Sequence, residues 1–188
     1  MRTHRWLILA LIASVISITS NAWGQNGCAA VQALGQAYLG FEQPLNEGDI
    51  WGGGVYLTLN GQELLAGIFS GQDGTDVWNG QNGMMGKGKG GSYTFAFNKR
   101  DDGTYADTFT TEVTNAVFPN PPGKVGFGHY QAAHKIVAGS GMFRNASGNL
   151  LMTGTYVVFP WAGGDVFGGR WNGDISGKIC GVDPSAQR

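Results

Sequence analysis

The sequence predicts an all-β fold, an antiparallel β-barrel of about eight strands, with a two-sheet β-sandwich as the alternative. Three observations carry this. Apolar and polar residues alternate at period two through most of residues 53–179, Gly-rich turns separate the alternating stretches, and the last stretch alternates bulky with absent side chains on one face. That taper suits a narrow, curved sheet and favours closure into a barrel. Glycine supplies 33 of 188 residues, yet 42% are hydrophobic and 12% aromatic, so the chain can bury a core and is no disordered tail. The glycines keep no three-residue period, which excludes collagen, and no repeat of constant length emerges to suggest a propeller or solenoid.

The chain opens with Arg2 and Arg5, an apolar run from Trp6 to Val15, and the small residues Ser20-Asn21-Ala22, the pattern of a cleaved secretory signal over residues 1–22. A retained anchor fits less well, because polar Ser, Thr and Asn follow the short apolar run where a second basic flank would be needed. The expected mature part, residues 23–188, is a single barrel domain, secreted or periplasmic. Its ten basic and thirteen acidic residues give a formal charge of −3, and no basic cluster marks it for nucleic acid or, once the signal is cleaved, for a membrane. Cys28 and Cys180 stand near its two ends, a placement that in an oxidising compartment reads as one structural disulfide. A redox or metal pair would need close spacing of the C-x-x-C kind.

Residues 28–37 are the one stretch with a pattern that suits a helical turn or two. Beyond them, Val55, Leu57 and Leu59 alternate with Tyr56 and Thr58. Residues 62–69 and 150–159 are apolar on both faces, as strands covered on two sides would be. Residues 71–91 hold eight glycines with Trp78, Met84 and Met85, and read as a loop, either a lid with an apolar tip or a hairpin connection. Tyr93, Phe95 and Phe97 alternate with Thr94 and Ala96. From Thr104 to Phe118 the odd positions are Tyr105, Asp107, Phe109, Thr111, Val113, Asn115 and Val117, against a Thr-rich even face. After the turn at Asn120-Pro121-Pro122-Gly123 come two strands at 124–130 and 134–138. The last strand sets Phe167, Gly169, Trp171, Gly173, Ile175, Gly177 and Ile179 on one face and Arg170, Asn172, Asp174, Ser176 and Lys178 on the other.

The run from Lys135 to Tyr156, KIVAGSGMFRNASGNLLMTGTY, resembles the signature of the allene oxide cyclase and dirigent-like barrel superfamily, with Gly139, Gly141, Phe143, Ala146 and Gly148 matching a turn between two strands. The glycines permit positive φ or close backbone approach around Phe143, which is placed to plug a barrel end. The resemblance implies an eight-stranded antiparallel barrel holding a small, largely apolar molecule, in proteins that act as cyclases or steer the stereochemistry of phenoxy radical coupling. It covers some twenty residues and carries over no working residue outside the turn.

The mature part has two histidines, His129 and His134, whose odd separation puts them on opposite faces of a continuous strand and argues against a shared metal. No H-E-x-x-H or G-x-S-x-G motif points to a metalloprotease or serine hydrolase. Asp107 and Asn115 share a face with Tyr105, Phe109, Val113 and Val117, and His129 and Gln131 share one with Val125 and Phe127. If those faces line a cavity, the polar groups orient a ligand inside apolar walls; if the Thr-rich face points inward, Asp107 meets water. The ligand-binding candidates are therefore Tyr105, Asp107, Asn115, His129 and Gln131, with Trp78 over the barrel mouth. The expected function is binding of a small apolar molecule, as a carrier or as a cyclase or isomerase without cofactor or metal. The alternative is a lectin-like module using Trp51, Trp78 or Trp161, with Trp171 assigned to the core. Asn145-Ala146-Ser147 is a glycosylation acceptor only where secretion runs through an endoplasmic reticulum. The reading leaves oligomerisation open.

Overall fold

A computed structural model describes residues 27–39, 50–72, 75–77, 85–119, 127–160 and 166–186. Among the described residues ten strands form one antiparallel sheet: β1 (Cys28–Leu39), β2 (Ile50–Leu59), β3 (Gln62–Gln72), β4 (Thr75–Val77), β5 (Met85–Lys89), β6 (Ser92–Lys99), β7 (Tyr105–Pro119), β8 (Phe127–Ser140), β9 (Ser147–Pro160) and β10 (Val166–Cys180). Their order is β4-β5-β7-β6-β3-β2-β1-β10-β9-β8, and pairing of β7 with β8 closes β7-β6-β3-β2-β1-β10-β9-β8 into an eight-stranded barrel. Closure leaves those strands no open edge. β4 pairs with β5 as β3 pairs with β6, so β3–β4 and β5–β6 are the arms of one long hairpin. Part of the 71–91 segment, expected as loop, is thus paired strand: Gly71 lies in β3 and Gly86 and Gly88 in β5, with Gly90 and Gly91 bonded to Val113 across the break between β5 and β6.

The inner faces follow the period-two pattern. Val55, Leu57, Leu59, Tyr93, Phe95, Phe97, Trp171, Ile175 and Ile179 are all buried. Two expectations are corrected, and they offset in the count. Residues 28–37 form a strand and not a helical turn. Ala29, Val31, Ala33 and Ala37 point inward, and twelve register pairs with β10 override the helix-forming tendency of an Ala-rich segment. Residues 124–130 and 134–138 are not two strands, since Phe127–Ser140 runs without a break. The outer faces of β3 and β9 are also open where two-sided burial was expected: Ile68 is 43% and Leu151 36% exposed.

One barrel end is plugged. After β8 a 3-10 turn, Gly141–Phe143, folds Met142 and Phe143 into the core at 1% and 0% exposure. Gly141 has φ +56°, and a Cβ there would fall 2.1 Å from Asp107 Oδ1, so glycine is required on both counts. The Met142 carbonyl accepts from Asp183 N at 2.8 Å, bracing the plug with the C-terminal tail. At the same end Cys28 and Cys180, direct partners in the β1–β10 ladder, form the expected disulfide.

Candidate functional site

The interior is zoned. Next to the plug, Phe95, Phe97, Phe109 and Phe143 pack ring on ring, with centroids 4.7 Å apart for Phe95–Phe109 and 5.0 Å for Phe109–Phe143. Above this floor runs a belt of rings with polar atoms. Contacts run from His134 on β8 to Tyr93 on β6 (5.5 Å), Phe69 on β3 (6.3 Å), Trp171 on β10 (5.9 Å) and back to Tyr130 on β8 (6.4 Å). The belt encircles the barrel and is the candidate site.

Backbone without side chains makes room for its largest ring. A Cβ on Gly35 would stand 2.9 Å from Trp171 Cζ3, one on Gly173 2.5 Å from Cζ2, and one on Gly154 2.8 Å from Nε1. The indole therefore lies over three adjacent strands, which is what the alternation of large with absent side chains in β10 accomplishes. Its Nε1 is buried and has no hydrogen-bond partner among the described residues.

His134 is the belt's titratable group, 1% exposed. Its Nδ1 lies 3.0 Å from Thr111 Oγ1, and that hydroxyl also reaches the Tyr93 carbonyl at 3.4 Å. With the hydroxyl proton given to the carbonyl, Thr111 accepts Nδ1–H and Nε2 is a bare lone pair; with the opposite tautomer Nε2 carries the proton. In both, Nε2 is buried without a partner among the described residues. Desolvation lowers the imidazole pKa to about 4, so the ring is neutral at pH 7.

The residues singled out from sequence divide differently. Asp107 is inward and 2% exposed, but at the plugged end: Oδ1 accepts from Met142 N at 2.7 Å and Oδ2 from Asn98 Nδ2 at 2.5 Å. One oxygen thus holds the backbone of the plug and the other the Asn98 side chain. Tyr105, half-buried, pairs with Lys99 near the same end. Asn115 does not share the inner face; a register irregularity between Val113 and Asn115 reverses the phase of β7, so Ala116 is buried and Asn115 exposed. His129 and Gln131 are likewise exposed, because the inner face of β8 runs through Tyr130, Ala132, His134 and Ile136. The signal for this phase was present in that alternation, and anchoring the phase on Val125 and Phe127 inverted it. The two histidines do face opposite ways, as their spacing requires. Among the described residues no three His, Cys, Asp or Glu side chains cluster as metal ligands would. Trp78 and Trp161, and the side chain of Trp51, lie outside the described residues, whereas Trp171 is in the core as expected.

No family model matches the chain, and no curated protein matches it. Among solved structures it is similar to the pterocarpan synthase dirigent protein GePTS1, with 16% identity over 82% of this chain and 91% of that one, at a TM-score of 0.36. The barrel assignment rests on the strand pairing described above.

Proposed function

We propose that the chain is an exported, dirigent-like barrel that holds one small, mainly apolar, uncharged molecule within the aromatic belt. The observation that carries this is the pair of buried polar atoms, His134 Nε2 and Trp171 Nε1, set among the rings of the belt without partners among the described residues. Leaving such an atom unsatisfied costs about 1–3 kcal/mol, and a ligand oxygen that accepts from the indole and complements Nε2 offsets it. The ligand is neutral on this reading because His134 is neutral and the described residues include no buried Lys or Arg to hold an anion. The resemblance of residues 135–156 to the allene oxide cyclase and dirigent-like superfamily agrees, since its glycines form the plug that closes one end. The Cys28–Cys180 disulfide accords with an oxidising compartment and so with the signal pattern of residues 1–22, which lie outside the described residues.

On this reading the chemistry falls to His134, whose Nδ1 meets Thr111, and to the shape of the belt; with Nδ1 protonated, the neutral imidazole can take a proton at Nε2 and return it, the requirement for an isomerisation or cyclisation without cofactor. Asp107 is occupied by the plug. Native mass spectrometry of protein purified from the exported fraction tests the binding. A neutral adduct released on collisional activation, weakened in His134→Leu and Trp171→Phe, is expected. A bare polypeptide mass, together with no uptake of a neutral apolar fluorophore, would overturn the proposal.

A further inference from the structure

His134 stands at the head of a hydrogen-bond chain that can pass on only one of its protons. Its Nδ1 lies 3.0 Å from Thr111 Oγ1, and that hydroxyl reaches the Tyr93 carbonyl at 3.4 Å. A carbonyl only accepts, so when the ring carries two protons Thr111 takes Nδ1–H and gives its own proton to Tyr93. The other N–H has no such path. Nε2 is buried among the rings of the belt without a partner among the described residues. Nor does the surrounding wall bring a counter-charge. Thr111 and Val113 face the ring from β7, the Tyr93 ring from β6 with centroids 5.5 Å apart, and Leu150 from β9, with Ala132 and Ile136 beside it on β8. A phenol is uncharged in acid. Asp107, the buried carboxylate of β7, has both oxygens engaged at the plug by Met142 N and Asn98 Nδ2. Glu112 and Lys135 are exposed on the outer face of the sheet.

We propose that acid discharges the belt: His134 takes up a proton at Nε2, in the space the ligand fills, and the ligand leaves. This rests on the reading of the belt as a ligand seat. A buried cation without a carboxylate needs water, and water and an apolar molecule compete for the same space around Nε2. The loaded ring is drier than the free one and refuses the proton more strongly; by reciprocity the proton refuses the ligand. The tautomer of the neutral ring does not matter, because the imidazolium carries a proton on each nitrogen. Burial alone already lowers the pKa of the free ring to about 4. Affinity should therefore be level down to about pH 5 and fall by up to about tenfold per unit below pH 4.

The probe is N-phenyl-1-naphthylamine, a fluorophore that is apolar and neutral over the whole range used. Its dissociation constant is measured on the full exported chain at pH 7, 5 and 3, with far-ultraviolet circular dichroism confirming the barrel at each step. Binding about tenfold weaker at pH 3 than at pH 7, and regained on return to pH 7, is expected. His134→Leu is expected to hold its own pH 7 affinity down to pH 3, while Asp107→Asn, which removes the buried acid of the plug, keeps the fall. Proton nuclear magnetic resonance of the His134 Cε1–H reads the same linkage from the other side and needs only pH values at which the barrel is folded: its titration is expected to lie lower in the loaded protein than in the free one. No uptake at pH 7 would overturn the seat itself and this inference with it. Uptake at pH 7 that persists undiminished to pH 3 in the folded barrel, a His134→Leu variant that loses the probe in acid as wild type does, or a His134 titration unmoved by the probe would overturn the acid discharge and leave the seat standing.

Discussion

The carboxylate of Asp107 receives the backbone N–H of Met142 at 2.7 Å, so the beginning of β7 holds the turn that follows β8. Removing this acceptor strands a buried donor. Asp107→Ala is expected to lower unfolding free energy by about 3 kcal/mol in urea titrations. Asp107→Asn keeps an oxygen for Met142 and sets an amide against Asn98, so its loss is smaller, about 1 kcal/mol. Neither change should alter the near-ultraviolet signal of the belt.

His134 makes stability depend on pH. Its folded pKa, about 4, lies below the ordinary 6.5. Between those values the unfolded chain binds a proton that the folded chain refuses, so stability falls as pH drops through 6.5 and flattens below about 4. The full change is roughly 3 kcal/mol. His134→Leu should remove this component from a stability–pH profile, while His129→Ala, at an exposed position, should leave it in place.

Thr111 is a second probe of the belt. Thr111→Val keeps the shape and removes the hydroxyl that meets Nδ1, so a buried ring nitrogen loses its partner. A cost of about 1–3 kcal/mol is expected by denaturant titration, and much less in a His134→Leu background, where no nitrogen remains to satisfy.

The Trp171 seat can be tested by overfilling it. Gly35→Ala drives a methyl group into the indole and should destabilise by about 1–3 kcal/mol. In a Trp171→Phe background the same change should cost far less, and a double-mutant cycle in guanidinium measures the difference.

Replacing Cys28 and Cys180 by Ser opens a loop with a sequence separation of 152 residues. The chain-entropy account assigns this bridge about 5 kcal/mol, so the thermal midpoint of the variant, and of reduced wild type, should fall steeply. Intact-mass analysis showing two free thiols in the native exported protein would contradict the bridge.

Most of the barrel was legible because its inner faces are hydrophobic at period two, and that periodicity survives closure. β1 was hidden because Ala and Gly face the large residues of neighbouring strands, so its inward positions look like those of a helix. The candidate site was harder to read. Asn115 lost its place to a bulge, which no alternation announces, and a one-residue error of phase on β8 exchanged His134 for His129. Asp107 lies inside, one of the two placements its strand pattern left open, and its partners come from a turn 35 residues onward and from Asn98 on a neighbouring strand, contacts that a linear pattern does not contain.

The ladder joining β1 to β10 runs the whole length of β1, Cys28↔Cys180 to Leu39↔Gly169. The first strand made is therefore the one that waits longest: until the final fifteen-residue strand emerges, β1 and β9 both present bare edges to any neighbouring chain. Closure needs strands far apart in sequence to meet, a kind of contact that forms more slowly than a local hairpin. A polypeptide truncated before Val166 is consequently an open, adhesive sheet, and the last strand acts as the clasp that turns it into a barrel.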